Sequence, residues 1–107
     1  MLDFEITPEE VKGKLARGEV LTLFDVREPW EWDTAHIATA KLIPMNEIPG
    51  RLQELDRQNP IVVYCHHGVR SLTVTQWLRR QGVENVQSMA GGIDAWSREI
   101  DKDVPLY

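Results

Sequence analysis

Short apolar runs alternate with segments of helical periodicity along this chain. The runs at residues 20–25 and 61–65 have no regular polar alternation, which is typical of strands buried on both faces of a parallel sheet. Weaker runs at 41–44 and 86–89 predict two further short strands. The apolar pattern therefore predicts a layered domain built around a sheet.

Helices are predicted between these runs. Thr7, Pro8 and Glu10 match a capped helix start, in which the threonine and the glutamate satisfy each other's backbone N–H groups. Residues 70–81 carry apolar side chains three and four positions apart. Further helical segments are predicted at 29–33, from about Glu47 or Pro49 to Leu55, and from Gly92 onward. Strands alternating with helices predict an α/β fold with a central, mostly parallel sheet of about five short strands, flanked by helices on both faces.

Size and charge limit the possible functions. The 107 residues fit one domain, with a core of about 6–100 and a loosely attached C-terminal tail at 101–107. A net charge of −5 makes nucleic acid and anionic membranes unfavourable partners. No apolar run approaches the ~18 residues of a membrane span, and the first residues do not resemble a secretory signal, so a cytoplasmic location is expected.

The chain has one cysteine, Cys65. A single cysteine excludes an internal disulfide, a Cys-x-x-Cys redox pair and a multi-cysteine zinc site, so Cys65 is either a buried spectator or a lone nucleophile. Cys65 ends a predicted strand shortly before a predicted helix, where free backbone N–H groups and the helix dipole favour its thiolate. No metal is expected on Cys65, His66 and His67, because three adjacent side chains rarely converge on one ion and no distant ligand is evident.

Three loops follow the carboxyl ends of predicted strands, where sites form in open parallel sheets. These loops begin at Asp25, Cys65 and Ala90. In the middle loop, Gly68 lets the backbone approach the sulfur closely, and Arg70 offers a planar cation that can bind an oxyanion. The middle loop therefore holds the candidate chemistry.

The distribution of charge supports this assignment. No Asp or Glu occurs between 61 and 83, so the cysteine is expected to lie in neutral-to-basic surroundings. Asp25 is expected to hold the Arg27 loop by hydrogen bonds. Arg27 either forms an exposed pair with Glu28 or points toward Cys65 and binds substrate, and the pattern leaves both open.

Four motifs in this order make the chain resemble a single-domain rhodanese over about residues 6–100. They are Asp25-Val26-Arg27, the stretch from Glu31-Trp32 through His36-Ile37 to Ala40, the strand that enters the loop at Cys65, and Gly91-Gly92 followed by Ala95-Trp96.

The resemblance implies a sulfurtransferase that needs no metal or organic cofactor. Cys65 would attack a small-molecule sulfane donor, such as thiosulfate or a persulfide, and carry the sulfur as a persulfide to a thiol, a protein or cyanide. His66 stands where many thiosulfate-using members have a basic residue, which makes a persulfide as plausible a donor as thiosulfate. The implied substrate-binding residues are His66, His67, Gly68, Val69, Arg70 and Ser71, with Asp25 and Arg27 behind them.

Two other functions are compatible with a cysteine-centred loop. A cysteine-dependent phosphatase or arsenate reductase is one, but tyrosine phosphatases place five residues between the cysteine and the arginine. Here four residues separate Cys65 from Arg70, and the tighter loop suits one sulfur atom better than a phosphate. A non-catalytic interaction module is the other, and the presence of Cys65, Gly68 and Arg70 argues against it.

Overall fold

The computed structural model describes residues 2–107. The strands of this part of the chain are β1 (Glu5–Ile6), β2 (Thr22–Asp25), β3 (Lys41–Leu42), β4 (Ile61–Tyr64) and β5 (Val86–Met89). The α-helices are α1 (Pro8–Ala16), α2 (Pro29–Thr34), α3 (Val69–Arg80) and α4 (Gly92–Glu99), and a 3₁₀-helix spans Met45–Glu54. All strand pairs are parallel in the order β1-β5-β4-β2-β3, which confirms the predicted α/β fold.

The sheet buries both of its faces, and successive strand residues point to opposite sides. Val63 and Cys65 pack on one side with Val74 and Leu78 of α3. Val62 and Tyr64 pack on the other side, in a cluster with residues of α1 and α4. Helices therefore cover both faces of β4, and Cys65 is on the α3 side.

The local capping signals form as predicted at the first helix. Thr7 Oγ1 accepts the Glu10 N–H at 3.1 Å, and Glu10 Oε1 accepts the Thr7 N–H at 3.2 Å. The helix predicted at 47–55 is instead a 3₁₀-helix that starts earlier, at Met45, and contains a kink at Arg51. Pro49 has no N–H group for the regular helical hydrogen bond, which disfavours an α-helix there.

The prediction of a loosely attached tail is wrong. Val104 is buried, and the Ser97 hydroxyl donates to its carbonyl group. At the end of the tail, the Tyr107 hydroxyl donates to Glu31 Oε2 at 2.6 Å. These residues have no periodic pattern, so the sequence carried no sign that they pack against the fold.

No helix in the described part of the chain is long and apolar enough to cross a membrane.

Helix α4 fixes the backbone of the loop after β4. The N–H groups of Ile93 and Asp94, in the first turn of α4, donate to the carbonyl groups of Cys65 and His66 at 2.8 and 3.1 Å. This approach requires a glycine at 92, because a Cβ there would collide with both of those carbonyl groups and the residue has φ +61°. The glycine pair predicted to form a turn therefore positions the cysteine loop.

We expect Gly92→Ala to lower the free energy of unfolding by about 2 kcal/mol or more, since left-handed backbone alone costs a residue with a side chain ~1–2 kcal/mol. Urea unfolding measures the change. Gly50→Ala is the matched control, because a Cβ at Gly50 meets nothing within 4 Å. The control should change stability by less than about 0.5 kcal/mol. Equal effects of the two substitutions would contradict the packing role of Gly92.

Candidate active site

The candidate site lies at the carboxyl edge of the three adjacent strands β2, β4 and β5. Cys65 lies directly after β4, whereas the sequence predicted it as the last residue of that strand. Helix α3 begins four residues later, at Val69. Because β4 lies between β2 and β5, the loops after all three strands meet around Cys65. The three loops singled out from the sequence are thus brought together.

The sulfur of Cys65 lies in a cradle of backbone N–H groups. Gly68 N donates to Sγ at 3.1 Å, and Ser71 N donates to it at 3.3 Å. The Ser71 hydroxyl lies 3.5 Å from Sγ and 2.7 Å from the hydroxyl of Ser88. Cys65 is only 1% exposed. The cradle therefore favours negative charge on a sulfur that solvent hardly reaches.

Gly68 lets the chain curl around the sulfur. Its φ of +104° is in the left-handed region, and a Cβ on Gly68 would lie 3.2 Å from the backbone nitrogen of Gly91. Val69, the next residue, projects into solvent with 76% exposure. Among the backbone N–H groups from His66 to Ser71, those of Gly68 and Ser71 donate to the sulfur.

His66 lies in a stack of aromatic rings. Its imidazole packs 3.9 Å from the ring of His67 and 4.0 Å from that of Tyr107, centroid to centroid. Burial, followed by the charge of His67, lowers the pKa of His66. A positive charge on His66 beside Cys65 is therefore disfavoured.

Asp94 brings a third possible metal ligand to the two histidines. Ligand atoms of His66, His67 and Asp94 lie within 4.8 Å of one another. Folding therefore brings in a distant ligand that was not evident along the sequence. Asp94 Oδ2 also accepts a hydrogen bond from Arg98 Nε at 3.0 Å.

Arg70 forms a two-point ion pair with Glu31. Its Nη1 donates to Oε1 at 2.7 Å and its Nη2 donates to Oε2 at 3.0 Å. The Glu31 side chain is only 5% exposed, whereas that of Arg70 is 36% exposed. The Arg70 guanidinium, which was expected to bind an oxyanion, is therefore already bound to a carboxylate of the same chain.

Glu31 is the site residue that sequence reasoning missed. Its hydrogen bond with Arg70, and then that with Tyr107, lower its pKa from an ordinary 4.5 to about 2. Burial, followed by the hydrogen bond to Glu31, raises the pKa of Tyr107 to about 12. The signal that the sequence offered for Glu31 was its position as the third residue of α2, where its side chain accepts the Glu28 N–H at 3.0 Å. A capping role at that position gives no hint of a partner in the cysteine loop.

Arg27 forms a buried ion pair with Asp25, not the exposed pair with Glu28 that was considered. Both side chains are fully buried, and Nη2 of Arg27 lies 2.5 Å from Oδ2 of Asp25. Asp25 Oδ1 also accepts the backbone N–H of Arg27 at 2.9 Å, so the aspartate does hold this loop. Arg27 donates further to the Ala35 carbonyl group at 2.6 Å and to the Tyr107 hydroxyl at 2.5 Å. Burial opposes its charge, but the hydrogen bonds to Asp25 and Tyr107 outweigh this and raise the pKa of Arg27.

The acid-free stretch of sequence does not become an acid-free site. Glu31 from α2 and Asp94 from α4 fold next to the loop that begins at Cys65. The absence of Asp and Glu between residues 61 and 83 therefore holds for this segment of the sequence but not for its neighbours in the folded chain.

The fold and this loop define a rhodanese-type domain, and comparison with known proteins agrees. The model of the rhodanese-like domain family matches residues 7–99, so the chain belongs to this family. A protein of Allochromatium vinosum named sulfurtransferase is 37% identical over 88% of this chain and 88% of its own length. The probable adenylyltransferase/sulfurtransferase MoeZ of Mycobacterium tuberculosis is 38% identical over 95% of this chain, but the chain spans only 26% of it. The crystal structure of a rhodanese-related protein from Thermoplasma volcanium superposes with a TM-score of 0.84 at 30% identity, covering 98% of this chain and 100% of the other.

The buried ion pair should contribute strongly to stability. We expect Asp25→Asn to lower the free energy of unfolding by about 3–5 kcal/mol, because it leaves the charge of Arg27 buried without its carboxylate. Glu19→Gln breaks the exposed pair of Arg17 and Glu19, and it should cost less than ~1 kcal/mol. Urea unfolding of both variants checks the difference. Similar losses would show that the buried pair adds nothing special.

Glu31 should make stability depend on acid pH. Its pKa is lower in the folded chain than its ordinary 4.5, so its contribution is complete above pH 4.5 and is lost as the pH falls toward 2. Wild-type stability should therefore decline more steeply over this interval than that of Glu31→Gln, which has no carboxyl group to protonate. Unfolding midpoints in urea, measured across the interval, give the two slopes. Parallel slopes would rule out a stabilising role for the ionised carboxylate.

Proposed function

We propose that this chain is a sulfurtransferase that carries a sulfane sulfur on Cys65 as a persulfide. The observation that supports it best is the cradle around Sγ, with two backbone N–H groups at 3.1 and 3.3 Å. Both N–H groups belong to the start of α3, where the helix dipole also favours negative charge. Relatives named sulfurtransferases support the same class of reaction.

The reaction needs only the thiolate of Cys65 and two substrates. With thiosulfate as donor, the thiolate attacks the outer sulfur, the bond between the two sulfurs of thiosulfate breaks, and sulfite leaves with the electron pair. Cys65 then carries a persulfide anion. An acceptor thiolate or cyanide attacks the terminal sulfur, forms a new persulfide or thiocyanate, and restores the Cys65 thiolate. A persulfide donor reacts in the same way and releases its own thiolate.

The cradle suits this cycle because it stabilises the charge at each stage. The negative charge is on Sγ before the transfer and on the terminal sulfur one bond away after it. Donors fixed in the backbone do not need to reorient between the two states. The four-residue spacing between Cys65 and Arg70 keeps these donors on a sulfur rather than on a larger oxyanion.

Phosphatase chemistry fits the site less well. Hydrolysis of a phosphate ester needs an acid that protonates the leaving alcohol. Glu31 is the carboxylate that contacts Arg70, but its pKa of about 2 keeps it ionised at neutral pH. The Arg70 guanidinium that would bind phosphate oxygens is also engaged by Glu31.

We expect treatment of the purified protein with thiosulfate or a small-molecule persulfide to add the mass of one sulfur atom, which intact-mass spectrometry detects. Cys65→Ser should gain none, because its hydroxyl cannot form a persulfide. Cyanide should then remove the added sulfur as thiocyanate. Several donors that add no sulfur to the wild type would overturn the proposal. Release of phosphate from an aryl phosphate, lost in Cys65→Ser, would favour the phosphatase instead.

A further inference from the structure

The charges around Cys65 are arranged so that each arginine has an acidic partner. In the described part of this edge of the sheet the ion pairs are Asp25 with Arg27, Glu31 with Arg70 and Asp94 with Arg98. Burial lowers the pKa of His66, which disfavours a further positive charge on its ring. A donor that approaches the cysteine therefore meets arginines whose charges are already compensated.

Arg70 is the cation of this set that can reach a donor. Its side chain is 36% exposed and belongs to the first turn of α3, beside the N–H groups that hold Sγ. Arg27 is fully buried, and Arg98, further along α4, forms an ion pair with Asp94. An anionic donor that uses a guanidinium must therefore compete with Glu31 for Arg70.

Breaking this ion pair costs more free energy for the carboxylate of Glu31 than for the guanidinium of Arg70. Glu31 is 5% exposed, so water cannot replace the two hydrogen bonds that Arg70 makes to it. The partners left to it would be the hydroxyl of Tyr107 at 2.6 Å and the N–H of Glu28 at 3.0 Å. A donor with two negative charges gains more binding energy from a free guanidinium than a donor with one. It therefore loses more when Glu31 keeps Arg70 paired.

We propose that Glu31 determines donor specificity by charge: it holds Arg70 so that the site uses monoanionic sulfane donors, such as persulfides and thiosulfonates, in preference to dianionic thiosulfate. This inference rests on the proposed function and names the substrate class of the same site. Tyr107 weakens this preference, because its hydroxyl still donates to the Glu31 carboxylate when Arg70 leaves it. The structure thus assigns a role to two residues outside the cysteine loop.

Two donors with the same sulfane sulfur and different charge test the proposal. Thiosulfate is a dianion, and the Cys65 thiolate displaces sulfite dianion from it. Benzenethiosulfonate is a monoanion, and the same attack displaces benzenesulfinate monoanion. The readout is kcat/KM for each donor with cyanide as acceptor, expressed as the ratio of thiosulfate to benzenethiosulfonate.

We expect Glu31→Gln to raise this ratio on the order of tenfold, because loss of a charge-assisted hydrogen-bond partner leaves Arg70 free for the dianion. The gain should disappear in Glu31→Gln combined with Arg70→Ala, compared with Arg70→Ala alone, since it acts through the guanidinium. Tyr107→Phe should lower the ratio, because Glu31 then depends more on Arg70. An unchanged ratio in Glu31→Gln, or a gain that persists without Arg70, would overturn the proposal.

The outcomes separate this inference from the proposed function. A wild type that gains no sulfur from either donor contradicts the sulfurtransferase itself. A wild type that forms the persulfide, with the same ratio in every variant, contradicts only the role of Glu31. If Glu31→Gln does not fold, Tyr107→Phe decides, since it keeps the carboxylate and removes one hydroxyl group: a lower ratio supports the proposal and an unchanged one overturns it.

Discussion

One buried guanidinium, that of Arg27, joins the segments that surround the cysteine. It bonds to Asp25 at the end of β2, to the carbonyl group of Ala35 after α2, and to the hydroxyl of Tyr107. A buried cation is tolerable only when its donors are satisfied, so these segments cannot separate without leaving N–H groups of the guanidinium without partners in the interior. Tyr107 extends the network to Glu31, and Glu31 extends it to Arg70. The positions of the residues at the mouth therefore depend on an interaction that never touches Cys65.

The two helices that meet the cysteine loop have different tasks. The first N–H groups of α4 donate to the carbonyl groups of Cys65 and His66, so they fix the backbone. The N–H groups at the start of α3 donate to the sulfur, so they stabilise its charge. Gly92 and Gly68 make both approaches possible, because each has a positive φ and close neighbours where a Cβ would be. The electrostatic environment of the sulfur is thus supplied mainly by backbone groups.

The sequence predicted what is local or repetitive and missed what is distant and irregular. Four of the five strands, the cap at Thr7 and the glycine pair follow from patterns a few residues long, and all formed, whereas the two-residue strand β1 was not predicted. The Glu31–Arg70 pair joins residues 39 positions apart, and the Tyr107–Glu31 hydrogen bond joins residues 76 positions apart. No periodicity marks such contacts, so the tail appeared loose and Arg70 appeared free. The same limit explains the acid-free stretch, since a count along the chain ignores the acids that folding brings alongside it.

Under the proposed function, stabilising the transferred sulfur and selecting its donor are separable tasks in this site. The N–H groups of Gly68 and Ser71 are part of the main chain, and α4 holds that chain in place, so side-chain changes at the mouth leave the cradle where it is. Glu31, Arg70 and Tyr107 are linked by side-chain hydrogen bonds alone, and one substitution alters the charge that a donor meets. Because Glu31 belongs to α2 and Tyr107 to the C-terminal segment, such a change needs no alteration between Cys65 and Ser71. On this proposal the cysteine loop carries the chemistry, whereas the donor is selected through Arg70 by Glu31 and Tyr107, which a motif centred on Cys65 does not contain.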